Sequence, residues 1–206
     1  MKYLIISLWG LTTCYAQNIA KDTLHLDQVV ITKSRKAKPK VATANYRSFC
    51  TYTSNAAFMS PVITLVDRLP PGNLNKITFF FNTETSSGQE PVNFQDQEVE
   101  LLFYHVNDDN TPGNVIEHAS KIIHVSKDHR GKFPVDVSDL AVYNPGRIFI
   151  GLRLLSAERK FEWNFHIACI CDEFNNYVSL IKRRETDDWT RAPGLGAIKM
   201  LITSIE

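Results

Sequence analysis

The sequence has little net charge and no long hydrophobic stretch after its first residues. Its 23 lysines and arginines nearly balance its 22 aspartates and glutamates, so the formal net charge is +1. Nucleic-acid-binding proteins usually carry a marked basic excess, and acidic solvating proteins carry the opposite. No later stretch approaches the roughly 18 apolar residues that a membrane-spanning helix needs. We therefore expect neither a nucleic-acid partner nor a transmembrane helix.

The sequence also lacks the short motifs that mark common catalytic sites. It has no zinc-protease helix motif, no nucleophile elbow and no phosphate-binding loop. Its six histidines are scattered singly, and a lone histidine on a strand is more often a surface or hydrogen-bonded residue than a general base. A zinc site at Cys169 and Cys171 needs two further ligands, and none occurs at a recognisable spacing. We expect no enzyme activity, no cofactor and no metal.

Residues 1–16 have the pattern of a secretory signal. Lys2 precedes an apolar run from Tyr3 to Leu11, and Cys14 and Ala16 then occupy the positions of small residues before a cleavage site. This order of features predicts cleavage after Ala16 and export to the periplasm, the outer membrane or the cell exterior. As an alternative, the segment that ends in Cys14 is a degraded lipoprotein box, in which that cysteine is lipidated.

Three cysteines remain after the predicted cleavage, and an odd number cannot all pair within one chain. On a strand, Cys169 and Cys171 lie on one face with Ile167, which favours a role as small buried hydrophobic residues. An exported chain also permits a disulfide from Cys50 to either of these two cysteines. Both pairings remain open.

The chain divides into a basic arm and an acidic body. Residues 17–48 carry seven basic and two acidic side chains, a net charge of +5, whereas residues 49–206 carry 15 basic and 20 acidic side chains, a net charge of −5. The lysine-rich run at 33–40 has nothing to bury, so we predict a solvated linker within an arm over residues 17–54. In that arm Leu24–Thr32 is β-prone and is expected to pair with a sheet edge, its own or a partner's.

Residues 55–206 show short β-prone runs separated by turns. Apolar residues alternate in Ile77/Phe79/Phe81 and in Ile148/Ile150/Leu152, a period that places one strand face on a core. About nine strands in about 150 residues predict an all-β fold, a two-sheet antiparallel sandwich that is jelly-roll-like. The predicted strands are Val62–Asp67, Lys76–Asn82, Glu98–Val106, Lys121–Ser126, Phe133–Val137, Arg147–Leu155, Phe161–Cys171, Tyr177–Arg183 and Ala197–Ile205.

Several segments follow a recurrent pattern, namely Glu100–Ile116, Phe133–Leu140, Arg147–Leu155 and the pair Asp188-Trp189. In this order they resemble exported Bacteroidetes proteins described as carboxypeptidase-like regulatory-domain proteins, over most of residues 24–206. The resemblance implies a β-sandwich in the cell envelope. The chain lacks the regulatory domain and has Arg153 and Leu154 where those proteins have an acidic residue and tryptophan. Separately, Leu24–Thr32 is similar to the start of the plug of TonB-dependent receptors.

Aromatic side chains supply the candidate contacts for a glycan, which needs aromatic faces exposed in a groove or on a platform. We select Tyr104 and Trp189, because Trp189 lies at a predicted turn between Asp188 and Thr190. Trp163 and Tyr177 are weaker candidates, since core packing is the commoner role of such aromatic residues.

Asp108 and Asp109 are further candidate ligand contacts. The segment Asn107–Asn110 clusters side-chain oxygens that suit Ca²⁺, but the same residues followed by Thr-Pro-Gly are also typical of a turn between two strands. The sequence thus predicts an exported, non-enzymatic binding or interaction module whose partner is a cell-envelope protein or a glycan. The alternative is a carbohydrate-binding, calcium-dependent or calcium-independent, lectin-like module. A hydrolase whose site assembles only in the folded chain is the third hypothesis.

Overall fold

A computed structural model describes residues 40–46, 51–56, 60–83, 93–116, 118–155, 165–171, 177–182, 184, 186–191 and 196–206. The predicted signal, the β-prone segment Leu24–Thr32, Cys50 and Trp163 lie outside these residues. Within the described part of the chain, no helix is long and apolar enough to cross a membrane.

The described residues form fifteen β-strands and one short 3-10 helix, Ser138–Leu140, but no α-helix. The strands are β1 (Val41–Tyr46), β2 (Thr51–Asn55), β3 (Val62–Val66), β4 (Gly72–Phe81), β5 (Gln97–Val106), β6 (Pro112–Val115), β7 (Lys121–Val125), β8 (Gly131–Asp136), β9 (Tyr143–Asn144), β10 (Ile148–Leu154), β11 (His166–Ile170), β12 (Ser179–Ile181), β13 (Thr190–Arg191), β14 (Ala197–Ile198) and β15 (Met200–Ile205).

The strands form two antiparallel sheets. Sheet A has the order β1-β15-β4-β11-β14, with β2 paired to β11 and with β8 and β9 paired to β4. Sheet B has the order β13-β12-β3-β10-β5-β6, with β7 paired to β5. The predicted all-β, two-sheet antiparallel sandwich is confirmed. Its longer strands alternate between the sheets along the chain, a feature that jelly rolls share.

The main core lies between the sheets and follows the predicted alternation. Ile77, Phe79 and Phe81 of β4 are fully buried, and the rings of Phe79 and Phe81 stack at 5.7 Å. From the other sheet, Ile148 and Ile150 of β10 join the same cluster. Each such side chain contributes about 1.5–3 kcal/mol when it is removed from water, so these strand faces hold the two sheets together.

The sandwich begins earlier in the chain than residue 55. All six residues of β1 pair with β15, and β2 pairs with β11 from Thr51 to Asn55, so both strands belong to sheet A although the sequence assigned them to the arm. The compact unit that contains the sandwich covers residues 39–206. The inward residues of β1, Ala42 and Ala44, are small, so this strand shows little of the apolar alternation by which strands are recognised in a sequence.

A chain of buried hydrogen bonds also joins the two sheets. The N–H of Ile198 in sheet A donates to Thr64 Oγ1 in sheet B at 3.1 Å, and Thr64 Oγ1 lies 2.8 Å from Ser179 Oγ. Ser179 Oγ donates to the carbonyl of Gly196 at 2.9 Å. Because the hydroxyl proton of Ser179 is used there, Thr64 must donate to Ser179, so each hydroxyl donates one hydrogen bond and accepts one.

Candidate functional site

Sheet B is apolar on both faces. Antiparallel sheets in sandwiches usually pack one face on the core and expose a polar one. The inward residues of β3, β5 and β10 join the main core, yet a second cluster lies on the opposite side, which we call the outer face. Its floor consists of Ile63, Leu65, Leu102 and Phe149, none more than 6% exposed.

Gly151 lets the floor pack closely. In the ladder it pairs with Ile63 on one side and with Leu102 on the other. A Cβ atom at this glycine would lie 2.6 Å from Cα and 2.7 Å from Cγ2 of Ile63, far inside van der Waals contact. The absent side chain therefore lets the backbone of β3, and Ile63 with it, lie close to β10.

The structure brings Tyr104 and Trp189 together on this face. Their ring centroids are 5.6 Å apart and their planes meet at 82°, the edge-to-face geometry that aromatic pairs prefer. Tyr104 lies on β5, whereas Trp189 directly precedes β13, and three strands (β12, β3 and β10) separate β5 from β13. The indole of Trp189 therefore reaches across the sheet and packs on the floor, and both aromatic side chains are half-buried.

Lys182 is a residue of this site that the sequence did not indicate. Its Nζ lies 4.9 Å from the centroid of the Trp189 ring, a cation–π contact worth about 0.5–1 kcal/mol at an exposed position. The two residues become neighbours because β12 and β13 pair in an antiparallel ladder. Nothing in the local sequence specifies that pairing.

Exposed apolar side chains extend the outer face beyond the aromatic pair. Val115, which is 47% exposed, stands opposite Tyr104 on β6. Ile122, which is 59% exposed, stands opposite Glu100 on β7. The sequence offered one indication of this, since the adjacent Ile122 and Ile123 must point to opposite faces of a strand and only one can reach the core.

An ion pair borders the apolar part of the outer face. Arg153 Nη2 lies 2.5 Å from Glu100 Oε2, and Arg153 Nε donates to the same oxygen at 2.7 Å. The hydroxyl of Ser120 donates to Glu100 Oε1 at 2.8 Å. The charge of Arg153 is matched here by that of Glu100.

Asp108 and Asp109 lie in the exposed turn between β5 and β6. Asp109 Oδ1 accepts hydrogen bonds from Thr111 Oγ1 at 2.6 Å and from Thr111 N at 3.0 Å, and these bonds lower the pKa of its carboxyl. This is the hydrogen bonding of a turn, one of the two predicted roles of the segment. Among the described residues, no three His, Cys, Asp or Glu side chains are grouped so that they could hold a metal ion.

Tyr177 packs within the structure and offers no platform. It is 9% exposed, and the guanidinium of Arg68 lies over its ring at 5.0 Å while Arg68 Nη1 donates to its hydroxyl at 3.3 Å. The expectation that core packing is the commoner role holds for this residue.

The two neighbouring cysteines differ in state. Cys169 is a free, buried thiol, and burial raises its pKa to about 12, so the reactive thiolate is scarce at neutral pH. Cys171 is disulfide-bonded. Of the two pairings that the sequence left open for Cys50, the one with Cys169 is therefore wrong.

The four predicted contact residues thus separate into two places, the aromatic pair on the outer face and the two aspartates in a turn. Function must be inferred from the outer face itself, because no family model, curated protein or solved structure matches this chain.

Proposed function

We propose that this protein is a non-enzymatic interaction module of the bacterial cell envelope that binds its partner on the outer face of sheet B. The observation that carries the proposal is the apolar character of that face, with Val115 exposed opposite the half-buried Tyr104 and Ile122 exposed further along the same edge of β5. Contiguous apolar surface on a soluble domain marks an interaction site.

Two features support a location in the envelope. Residues 1–16 have the pattern of a secretory signal. Cys171 is disulfide-bonded, and structural disulfides persist in oxidising compartments such as the periplasm.

The layout of the outer face resembles that of a protein–protein interface. Tyrosine and tryptophan, here the adjoining Tyr104 and Trp189, are among the side chains that dominate binding energy when they lie near the centre of an interface. The ion pair of Glu100 and Arg153 supplies the polar rim that such interfaces have. The partner is thus expected to present an apolar surface edged by polar groups.

Site-specific photo-cross-linking in the producing bacterium tests this proposal. A photoreactive amino acid at position 115 or 122 is expected to join the protein to one discrete envelope partner. The matched control is position 132, where Lys132 is also exposed but lies on sheet A. Ile122→Glu, which places a charge on the face without disturbing the core, is expected to abolish the cross-link from position 115. Equal cross-linking from all three positions, or none from 115 and 122, contradicts the proposal.

A second candidate function is carbohydrate binding, and the contact between Tyr104 and Trp189 favours it. Sugars stack on aromatic faces, and these two half-buried rings adjoin one another. Calorimetric titration with cell-envelope polysaccharides is the test: Trp189→Ala is expected to lose binding at least tenfold, while Tyr104→Phe keeps it. Binding that a chelator removes would favour the calcium-dependent form, and equal binding by Trp189→Ala excludes this site.

A further inference from the structure

We propose that the edge of β1 that faces away from β15 is a dimerisation surface. A second copy of this chain adds its own β1 there in the antiparallel direction, with Thr43 on the two-fold axis, and the two A sheets join into one continuous sheet. Because β1 belongs to sheet A, this surface differs from the outer face of sheet B and the inference goes beyond the proposed function.

Three residues of β1 direct their backbone groups away from β15. The carbonyl of Lys40 accepts a hydrogen bond from the N–H of Glu206 at 3.0 Å, and the register then continues unbroken along β1. In an antiparallel ladder, hydrogen-bonded positions alternate with positions whose N–H and C=O point the other way. The outward positions are therefore Val41, Thr43 and Asn45. Among the strands that the structure describes, only β15 pairs with β1, so these groups can bind an added strand.

The edge of β1 lacks the features that prevent edge-to-edge pairing. Natural edges are protected by short length, charged side chains, proline or bulges. In this protein β13 has only two residues, and β8, which among the described strands pairs only with β4, carries Lys132, Pro134 and Asp136. β1 instead has six residues, none of them charged and none of them proline or glycine, and its ladder with β15 has no register shift.

The spacing of the outward residues favours a second copy as the occupant. A two-fold axis at Thr43 places this residue opposite itself and places Val41 opposite Asn45 of the second copy. Each facing pair exchanges two hydrogen bonds, so every outward N–H and C=O of both strands finds a partner. Between these positions lie Ala42 and Ala44, whose small side chains leave room for the second strand. Dimers built from one such self-complementary patch are the commonest oligomers.

Charge favours the antiparallel arrangement and a partner that is itself neutral. The ammonium of Lys40, next to β1, lies 3.6 Å from Glu206 Oε2 of the same chain, so its charge is already matched. In the antiparallel dimer the two copies of Lys40 lie six positions apart along the ladder, about 20 Å, well beyond the Debye length of about 8 Å. A parallel pairing places them side by side. The identical neutral strand therefore fits this edge without repulsion.

The dimer is expected to be weak and reversible. Six residues from each chain are few beside the roughly 20–30 residues that each partner contributes to a standard interface. The pairing covers Val41, which is 62% exposed, but its main gain is the row of backbone hydrogen bonds. Association is therefore expected to depend on concentration.

Sedimentation velocity of the full chain between about 1 μM and about 1 mM tests the proposal, and the wild type is expected to convert from monomer to dimer. Thr43→Pro removes an outward N–H but none of the bonds to β15, since proline is tolerated at an edge where the N–H faces solvent; it is expected to weaken association at least tenfold. Thr43→Val keeps the N–H and is the matched control, expected to associate like the wild type. A wild type that stays monomeric leaves the edge to a different partner and overturns the proposal, as does a Thr43→Pro protein that dimerises normally.

Charged variants test whether residue 43 faces itself, and they keep the test open if Thr43→Pro does not fold. Thr43→Lys and Thr43→Glu each place like charges directly opposite one another, so each variant alone is expected to associate at least threefold more weakly than the wild type. An equimolar mixture is expected to recover the association, because a lysine then lies opposite a glutamate. A mixture that associates no better than either variant overturns the register. Cross-linking from positions 115 and 122 on sheet B does not involve β1, so this inference and the proposed function can fail separately.

Discussion

A single glycine decides how closely the strands of sheet B and the floor residues pack. At Gly151 the nearest atom to an added Cβ is the backbone carbonyl oxygen of Val62, followed by Cα and Cγ2 of Ile63, and backbone atoms of a central strand cannot move aside. We expect Gly151→Ala to cost more than about 4 kcal/mol of unfolding free energy, or to prevent folding, as measured by urea denaturation.

Gly131→Ala is the control for that prediction. A Cβ at Gly131 meets no atom within 4 Å, although its φ of +86° disfavours a side chain. The expected cost is therefore only about 1–2 kcal/mol. Equal losses of unfolding free energy in the two variants would show that the close contacts at Gly151 do not determine the cost of its substitution.

His166 makes stability depend on pH. Its ring packs edge-on against Phe94 at 5.2 Å, the guanidinium of Arg130 covers the same Phe94 ring at 4.2 Å, and burial lowers the pKa of His166. Because the folded state disfavours the proton, the contribution of His166 is fully present above the ordinary histidine pKa of about 6.5 and is lost as the pH falls below it. We expect His166→Gln to reduce the loss of unfolding free energy between pH 7 and pH 5.

The matched variant for that comparison is His124→Gln, since His124 is exposed on β7. Its denaturation curves at pH 5, 6 and 7 are expected to follow those of the wild type. A His166→Gln protein with the full wild-type pH dependence would assign the acid sensitivity to other groups.

Single residues were predicted from sequence only where a local pattern marks them. Aromaticity and a turn-like context selected Tyr104 and Trp189, and whether they contact a ligand stays a prediction. Their mutual contact was beyond the sequence, because the two positions meet only after β12, β3 and β10 are placed between them. Lys182 was missed for the same reason.

Among the elements, β3 and β12 depend on the buried hydroxyls that join them to β14. Thr64→Val and Ser179→Ala each leave a buried partner unsatisfied, at a cost of about 1–3 kcal/mol. The double variant is expected to lose less than the sum of the two, because both changes break one chain of hydrogen bonds. Urea denaturation of the four proteins measures this coupling. The control is Thr43→Val, at an exposed position of β1, which is expected to change the free energy of unfolding little. Strict additivity of the two buried changes would contradict a single chain of hydrogen bonds through Thr64 and Ser179.

The disulfide of Cys171 is expected to hold the edge strand β2 on β11. The register of these strands pairs Thr51 with Ile170, and the next residues along the two strands are Cys50 and Cys171. Peptide mapping without reduction is expected to recover Cys50 joined to Cys171, and Cys171→Ser is expected to cost about 2–4 kcal/mol.

Cys169→Ser serves as the control for the disulfide, because Cys169 is a free thiol; this variant is expected to leave the linked peptide unchanged. Recovery of Cys171 joined to Cys14 or to Cys169 contradicts the expected pairing.

The sequence predicted elements well where one strand face is apolar over several residues. β4, β5, β8 and β10 lie close to their predicted ranges. The predicted final strand, Ala197–Ile205, is instead two strands, because its first residues pair with β11 and the later ones pair with β1 and β4. The short β6, β9 and β13 were missed, since strands of two to four residues are too short to show alternation.

At the scale of the whole molecule, the domain needs its first two strands. We expect a chain of residues 39–206 to unfold cooperatively and a chain of residues 55–206 not to, because the shorter chain uncovers the edges of β15 and β11. Both chains should carry Cys171→Ser, so that loss of the disulfide does not contribute. Thermal unfolding followed by circular dichroism measures the difference, and a cooperative transition in the shorter chain would contradict it.

The second apolar face is a property of the whole sheet that the sequence indicated only in part. β3 is buried at all five positions, and a run that is apolar except for Thr64 is typical of a strand covered on both sides. Which residues meet on the outer face depends on how β5, β10 and β12 align with β3 in the sheet. No local sequence pattern specifies that alignment.

The pairing of β1 with β15 also determines how the molecule responds to tension. Residues 40 and 206 leave the sandwich side by side, with the N–H of Glu206 donating to the carbonyl of Lys40 at 3.0 Å. A force that pulls these two residues apart acts across the ladder, so its six residue pairs carry the load one after another. The strand therefore peels away at low force, starting at Val41, while the outer face still carries no load. Between two anchored attachments the domain would extend by releasing β1 while sheet B stays intact.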